Sequence, residues 1–305
     1  MRNALPAVLM LTSALGLVGP PVLAAERMRV LIDADTANEV DDPYAIVRAL
    51  IEPSLDVVGL ASAQWQVSHW ATPTSMEDSQ RLNEFLLGHL GRTDLPHPRG
   101  AAARLFDWGQ DLAQHSAAAY FLIEQARATP PGEKLTLAVL GASTNVASAL
   151  LIDPTIAPKI RVHFLGTGYD QARGAWHRLD FNVMNDPRAL HVMLEAEGLE
   201  LHIMPVTVSG AMRFEIEEVR ERFRGRAPLL DFLVDRWERH VDAGRLERTI
   251  WDLSVIEALI HPELAAEIEV QTPPENTPRK VWMYSSIDAA AMKADFFAAV
   301  EEYFE

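Results

Sequence analysis

Residues 28–42, MRVLIDADTANEVDD, decide how the rest of the chain is read. Residues 28–32 are mostly apolar and include the β-branched Val30 and Ile32, so they read as a buried strand. Five acids, Asp33, Asp35, Glu39, Asp41 and Asp42, crowd the ten residues that follow. A helix is expected from about Pro43. A strand running straight into a polar loop and then a helix is the opening unit of a parallel α/β sheet, and such sheets bind ligands at the carboxyl ends of their strands. Carboxylates crowded at that edge repel one another and raise each other's pKa unless a cation joins them. The donors are oxygens, with no Cys or His among them, so a hard ion such as calcium or magnesium fits better than zinc. A solvated acidic loop with helix-capping aspartates is the plainer alternative. It fits less well directly behind an apolar strand.

Working outward, the same alternation continues. Strands are expected at 56–61, 135–140, 161–165 and 201–206. Helices are expected at 78–89, 115–127, 145–151 and 187–197, the last opened by Asp186-Pro187, with a charged helical stretch over 215–240. This pattern predicts an α/β fold, an open and largely parallel Rossmann-like sheet with helices on both faces. There is no Gly/Ser-rich linker, repeat or low-complexity tract, so residues 26–305 read as one domain.

Residues 1–25 read differently. Arg2 precedes an apolar run over 4–18, Gly19-Pro20-Pro21 breaks it, and Val22-Leu23-Ala24-Ala25 offers small-residue cleavage sites. That order of parts is a secretory signal peptide and predicts export, to the periplasm or the medium. No later stretch is apolar for the 18 residues a membrane span needs. The net charge of −16 argues against nucleic-acid polymers as partners but not against a small neutral ligand. The chain has no cysteine, which excludes disulfides and thiolate metal sites.

Four ordered motifs carry a family resemblance. Asp33-x-Asp35-x-x-Asn38-Glu39-x-Asp41-Asp42 is the first. Leu140-Gly141-Ala142-Ser143-Thr144-Asn145-Val146-Ala147, followed by Asp153-Pro154, is the second. Asp180-Phe181-Asn182, followed by Asn185-Asp186-Pro187-Arg188-Ala189, is the third. Trp251-Asp252, followed by His261-Pro262-Glu263-Leu264, is the fourth. Together they resemble the inosine–uridine-preferring nucleoside hydrolases, with an N-terminal signature two residues longer than its commonest form. The resemblance implies a calcium-dependent enzyme that splits the N-glycosidic bond of ribonucleosides, releasing ribose and a free base for salvage. It implies a homo-oligomer with a nucleoside as its small-molecule partner. It places Asp35, Asp42, Asp252 and the main-chain carbonyl of Leu140 on the metal, with Asp35 also taking the proton from water. It places Asp41 on a ribose hydroxyl, and Asp180 and Asn182 on the 3′- and 5′-hydroxyl side. Asp33 is expected to orient the others. Asn182 is expected to serve the sugar without affecting the cation.

The pattern is broken where many members carry His before the last metal-binding Asp. Here Trp251 stands, and an indole cannot protonate a departing base. An indole face can stack on one, which leans the expectation toward purines. Trp65 and Trp70 are expected to form the opposite wall. His177, His240, Arg245 and Arg248 are the candidates for a leaving-group acid, and Gly174 stands where an Asn often contacts the 5′-hydroxyl. Two rival readings remain: an exported, non-catalytic nucleoside- or sugar-binding protein of the same fold, and a phosphatase of the haloacid-dehalogenase type.

Overall fold

The computed structural model describes residues 27–107, 111–177 and 180–305. The leader expected over residues 1–25 lies outside them. Seven strands form the central sheet: β1 Met28–Ala34, β2 Leu55–Ser62, β3 Leu135–Val139, β4 Ile160–Leu165, β5 Glu200–Met204, β6 Ala265–Gln271 and β7 Lys280–Ile287. Their spatial order is β6-β7-β5-β4-β3-β1-β2. All neighbours run parallel except the edge pair β6 and β7.

Alternation along β1 feeds two cores. Val30, Ile32 and Ala34 enter one, packed with helices α1 (Asp41–Ile51), α7 (Pro228–Arg239), α8 (Leu253–Ile260) and α9 (Ala289–Phe304). Leu31 enters the other, with α3 (Ala117–Ala128), α4 (Thr144–Ile152) and α6 (Pro187–Glu195). Burial on both faces explains why these strands read as apolar runs. The expected α/β architecture is therefore the observed one. Among the described residues no helix is long and apolar enough to cross a membrane.

Two differences have local causes. The helical stretch expected over 215–240 is two helices, Ile216–Phe223 and Pro228–Arg239. Gly225, at φ +79°, ends the first, and Pro228 starts the second at a position where its missing N–H costs nothing. The strand expected over 201–206 stops at Met204, where Pro205 follows. The pair β6 and β7 went unread because β6 is an edge strand with mostly exposed residues, so its sequence lacks a clear apolar alternation.

A buried arginine ties together the helices that lead to the ligand edge. Arg48 of α1 donates from Nε to Glu257 Oε1 of α8 at 3.0 Å, and from Nη1 and Nη2 to Glu52 and Asp295, each at 2.6 Å. Glu257 is fully buried, and burial pushes its carboxyl up to about 8 despite the guanidinium beside it. Arg48→Met should therefore cost about 3–5 kcal/mol, because it strands a buried acid. Adding Glu257→Leu should recover much of that loss. Urea unfolding of the single and double variants checks this; a loss below ~1 kcal/mol in the single variant would contradict it.

Candidate active site

The carboxyl ends of β1, β3, β4 and β5 open into one cavity of about 270 Å³. Asp35 follows β1, Leu140 follows β3, Leu165 closes β4 and Val206 lies just beyond β5, and all four line it. Asp41 and Asp42 open α1, and Asp252 caps α8. The residues expected to hold the cation and the sugar, and the tryptophan expected to meet the base, line this cavity: Asp35, Asp41, Asp42, Leu140, Asp180, Asn182, Trp251 and Asp252. Asn38, Glu39 and Phe181 line it as well. The first two sit in the quoted loop and were given no role; their place in the extended part of that loop was the signal available.

Close approach is built into the backbone. Leu140 N–H donates to the Asp33 carbonyl at 2.8 Å, which sets the turn after β3 against the acidic loop. A Cβ on Gly141 would sit 2.8 Å from Asp35 Cβ, so only glycine lets the two segments meet. Asp33 lies behind the cavity, where its Oδ1 accepts from Asn145 Nδ2 at 2.8 Å.

Carboxylate oxygens of Asp41, Asp42 and Asp252 lie within 4.8 Å of one another. Asp41 rather than Asp35 thus completes the tightest group. The reason is local: Asp41 is the first residue of α1, and the Asp252 backbone N–H bonds its carboxylate. Asp35 lines the same cavity, and its charge acts on Asp252. Burial, and then the neighbouring acids, push Asp35, Asp41 and Asp252 well above the ordinary carboxylate range. Burial likewise pushes Asp42 up to about 7, partly offset by its hydrogen bond with Asp252 and by the Arg236 guanidinium. Asp35 Oδ2 and Asp42 Oδ1 are buried without a hydrogen-bond partner. Such orphaned oxygens, in an all-oxygen donor set, fit a hard divalent cation.

The sugar-side residues are more heavily committed than expected. Asp180 caps helix α5 (Phe181–Asn185): its Oδ1 accepts from the N–H of Asn182 at 3.0 Å and of Val183 at 3.3 Å, and its Oδ2 from Thr167 N–H at 2.5 Å. Burial still pushes it up to about 6. Asn182 Nδ2 donates to the carbonyls of Leu140 at 2.6 Å and Leu165 at 3.0 Å. Asn182 therefore touches the carbonyl expected on the metal.

Trp251 lines the cavity, and its indole lies close to Gly210. The other aromatic expectations fail. Trp65 is buried and bonds Ser79 Oγ, and Trp70 Nε1 donates to the Asn38 carbonyl; neither lines the cavity. The proposed acids are also spent elsewhere. His240 is held between Asp242, at 2.5 Å, and the Asn38 carbonyl, at 3.0 Å. Arg248 and Arg245 pair with the same Asp242. His177 and Gly174 belong to a surface hairpin outside the cavity lining. Of these groups His240 instead braces the acidic loop, together with Arg236, which donates to the carbonyls of Ala37 at 2.5 Å and Glu39 at 2.8 Å. Among the described residues no lysine lines the cavity, whereas a dehalogenase-type phosphatase needs one beside its acidic loop.

Comparison with known proteins agrees with this geometry. A family model described as inosine-uridine preferring nucleoside hydrolase matches residues 30–293. The chain is 28% identical over 272 residues to the pyrimidine-specific ribonucleoside hydrolase RihA of Escherichia coli strain K12, covering 79% of this chain and 82% of that one. It is 27% identical over 269 residues to the probable uridine nucleosidase 2 of Oryza sativa subsp. japonica, covering 77% and 74%. Its fold matches an inosine-guanosine nucleoside hydrolase with a TM-score of 0.72 at 17% identity, over 90% of this chain and 99% of that one.

The raised carboxyls set a pH dependence. Asp33 and Asp42 move from 3.8 to about 7, so between those values the folded protein binds more protons than the unfolded one. In chelator, stability should fall as pH rises from about 4 through about 7. Calcium at 100 times its dissociation constant should restore about 2.7 kcal/mol at pH 8. Thermal melts with and without chelator read this; a melting point that climbs through that window and ignores calcium would contradict it.

Proposed function

The chain belongs to the inosine-uridine preferring nucleoside hydrolase family, and from that premise we propose that its cavity splits purine ribonucleosides with calcium as cofactor. The protein is an enzyme, and hydrolysis of the N-glycosidic bond of nucleosides is its reaction class. The observation that carries the finer reading is one cavity lined both by buried carboxylates from two distant segments and by Trp251.

Asp35, Asp42, Asp252 and the Leu140 carbonyl would hold the cation, with Asp41 close enough to share it. When bound, calcium would lower the pKa of a nearby water and help to anchor the sugar. Asp35 accepts the proton from the attacking water as general base. Asp41 accepts a hydrogen bond from a ribose hydroxyl, and Asp180 and Asn182 meet the 3′- and 5′-hydroxyl side. As the base departs the sugar becomes oxocarbenium-like, and the surrounding ionised carboxylates stabilise that charge. Among the described residues no histidine lines the cavity to protonate the base. Stacking on Trp251 favours a ring that takes up a proton itself, since a cationic ring gains from a π-face. Purines offer the larger ring and a basic N7. The leader-like residues 1–25 support export, and the family resemblance supports a homo-oligomer.

Release of reducing sugar from inosine, adenosine, uridine and cytidine, with and without chelator, tests this reading. Purine ribosides should react faster, chelator should abolish release, and Trp251→Ala should lower kcat for inosine at least ~10-fold, about 1.4 kcal/mol of barrier. Faster reaction of uridine and cytidine, in line with the names of the pyrimidine-acting relatives, would overturn the purine reading. No release from any nucleoside would overturn the activity.

A further inference from the structure

The acidic loop carries a neutral polar side chain, Asn38, that lines the cavity and that the mechanism above does not use. Asn38 is 4% exposed, lines the cavity, and makes no side-chain hydrogen bond to the protein; its Oδ1 is buried without a partner. Native structures leave few such groups unmatched, because a buried polar atom without a partner is costly; the unmatched oxygen shows that the carboxamide is not committed to the protein, and the donor it offers a ligand is Nδ2.

The main chain around Asn38 is fixed from outside. Its N–H donates to the Asp35 carbonyl at 2.8 Å. Its own carbonyl accepts from Trp70 Nε1 at 3.2 Å and His240 Nε2 at 3.0 Å. Arg236 holds the carbonyls on either side, those of Ala37 and Glu39. Three consecutive carbonyls are thus gripped by the protein around the loop, while the Asn38 carboxamide is left to the cavity. A side chain carried on so constrained a backbone is preorganised.

The other polar groups of the cavity are of the wrong kind to meet a departing base. Asp35, Glu39, Asp41, Asp42, Asp180 and Asp252 accept hydrogen bonds when ionised and cannot donate them. The Asn182 amide is occupied by two carbonyls. Among the described residues that line the cavity, this leaves the indole N–H of Trp251 and the amide of Asn38 as side-chain donors. Negative charge builds on the base as its bond to the sugar stretches, and a fixed neutral donor stabilises it without attracting a counter-charge from the acids nearby.

We propose that Asn38 is a specificity-determining residue whose carboxamide donates to the acceptor edge of the nucleobase, taking up part of the work left by the missing histidine. This rests on the nucleoside-hydrolase reading above and adds the group that recognises the leaving base. The test compares inosine with p-nitrophenyl β-D-ribofuranoside, which keeps the sugar and replaces the base by an aryl oxygen that leaves without such help. Both are assayed with calcium on wild type, Asn38→Leu and Asn38→Asp. The ratio of kcat/KM for inosine to that for the aryl riboside should fall at least ~10-fold in both variants, the low end of what loss of one such donor costs. Asn38→Asp keeps the shape of the side chain, so it gives the same reading if Asn38→Leu does not fold. An unchanged ratio overturns the proposal, whether both activities fall together, as a sugar-binding or loop-holding role would give, or neither falls. A wild type that cleaves the aryl riboside but no nucleoside also overturns it. A wild type that cleaves neither overturns it together with the reading beneath it.

Discussion

Burial of like charge at one edge of the sheet is the constraint on which the rest of this structure depends. Asp35, Asp41, Asp42 and Asp252 are each almost wholly removed from solvent. Like charges so close in a low dielectric cannot all ionise unless positive charge joins them. Everything around the cavity either brings those carboxylates together or supplies part of the compensation. The strand ends deliver Asp35 and Leu140, and the first turns of two helices deliver Asp41, Asp42 and Asp252. An oxygen-only shell of this kind matches a hard cation, and it follows from sheet topology as much as from the individual side chains.

Holding such a cluster requires support at some distance from it. Gly141 lets the turn after β3 close onto Asp35. The buried Arg48–Glu257 pair joins α1 to α8 beneath the helix starts that carry three of the acids. Arg236, His240 and Trp70 grip the acidic loop by its carbonyls. Asp186 knits α4 to α6, accepting from Thr144 Oγ1 at 2.7 Å while capping its own helix. The motif residues thus divide between those that line the cavity and those that fix the elements carrying it.

The fold was legible because β1 and its neighbours are buried on both faces and the intervening helices carry their own start signals. The edge strand β6 was not, since solvent on its residues erased the pattern. The cavity residues could be named because the acids and their order in the chain are distinctive. Their partners could not. Nothing in the sequence indicates that His240 and Arg248 would both turn to Asp242, or that Trp70 would spend its indole on the Asn38 carbonyl. The Trp70 contact joins residues far apart in the chain, and even the pairings with Asp242, two and six residues away from His240 and Arg248, follow from how the loop packs rather than from a local pattern. Asp180 shows the same limit: as a helix cap it gives both oxygens to backbone amides, a role its motif does not disclose.

The account stands or falls on whether one cation joins carboxylates from the two distant segments. Calorimetric titration of calcium into chelator-stripped protein, wild type against Asp252→Asn, addresses this most directly. One ion per chain in the wild type, bound at least ~10-fold more weakly by the variant, or about 1.4 kcal/mol, is the predicted result. Equal calcium affinity in the two proteins, or no saturable binding in the wild type, would contradict it.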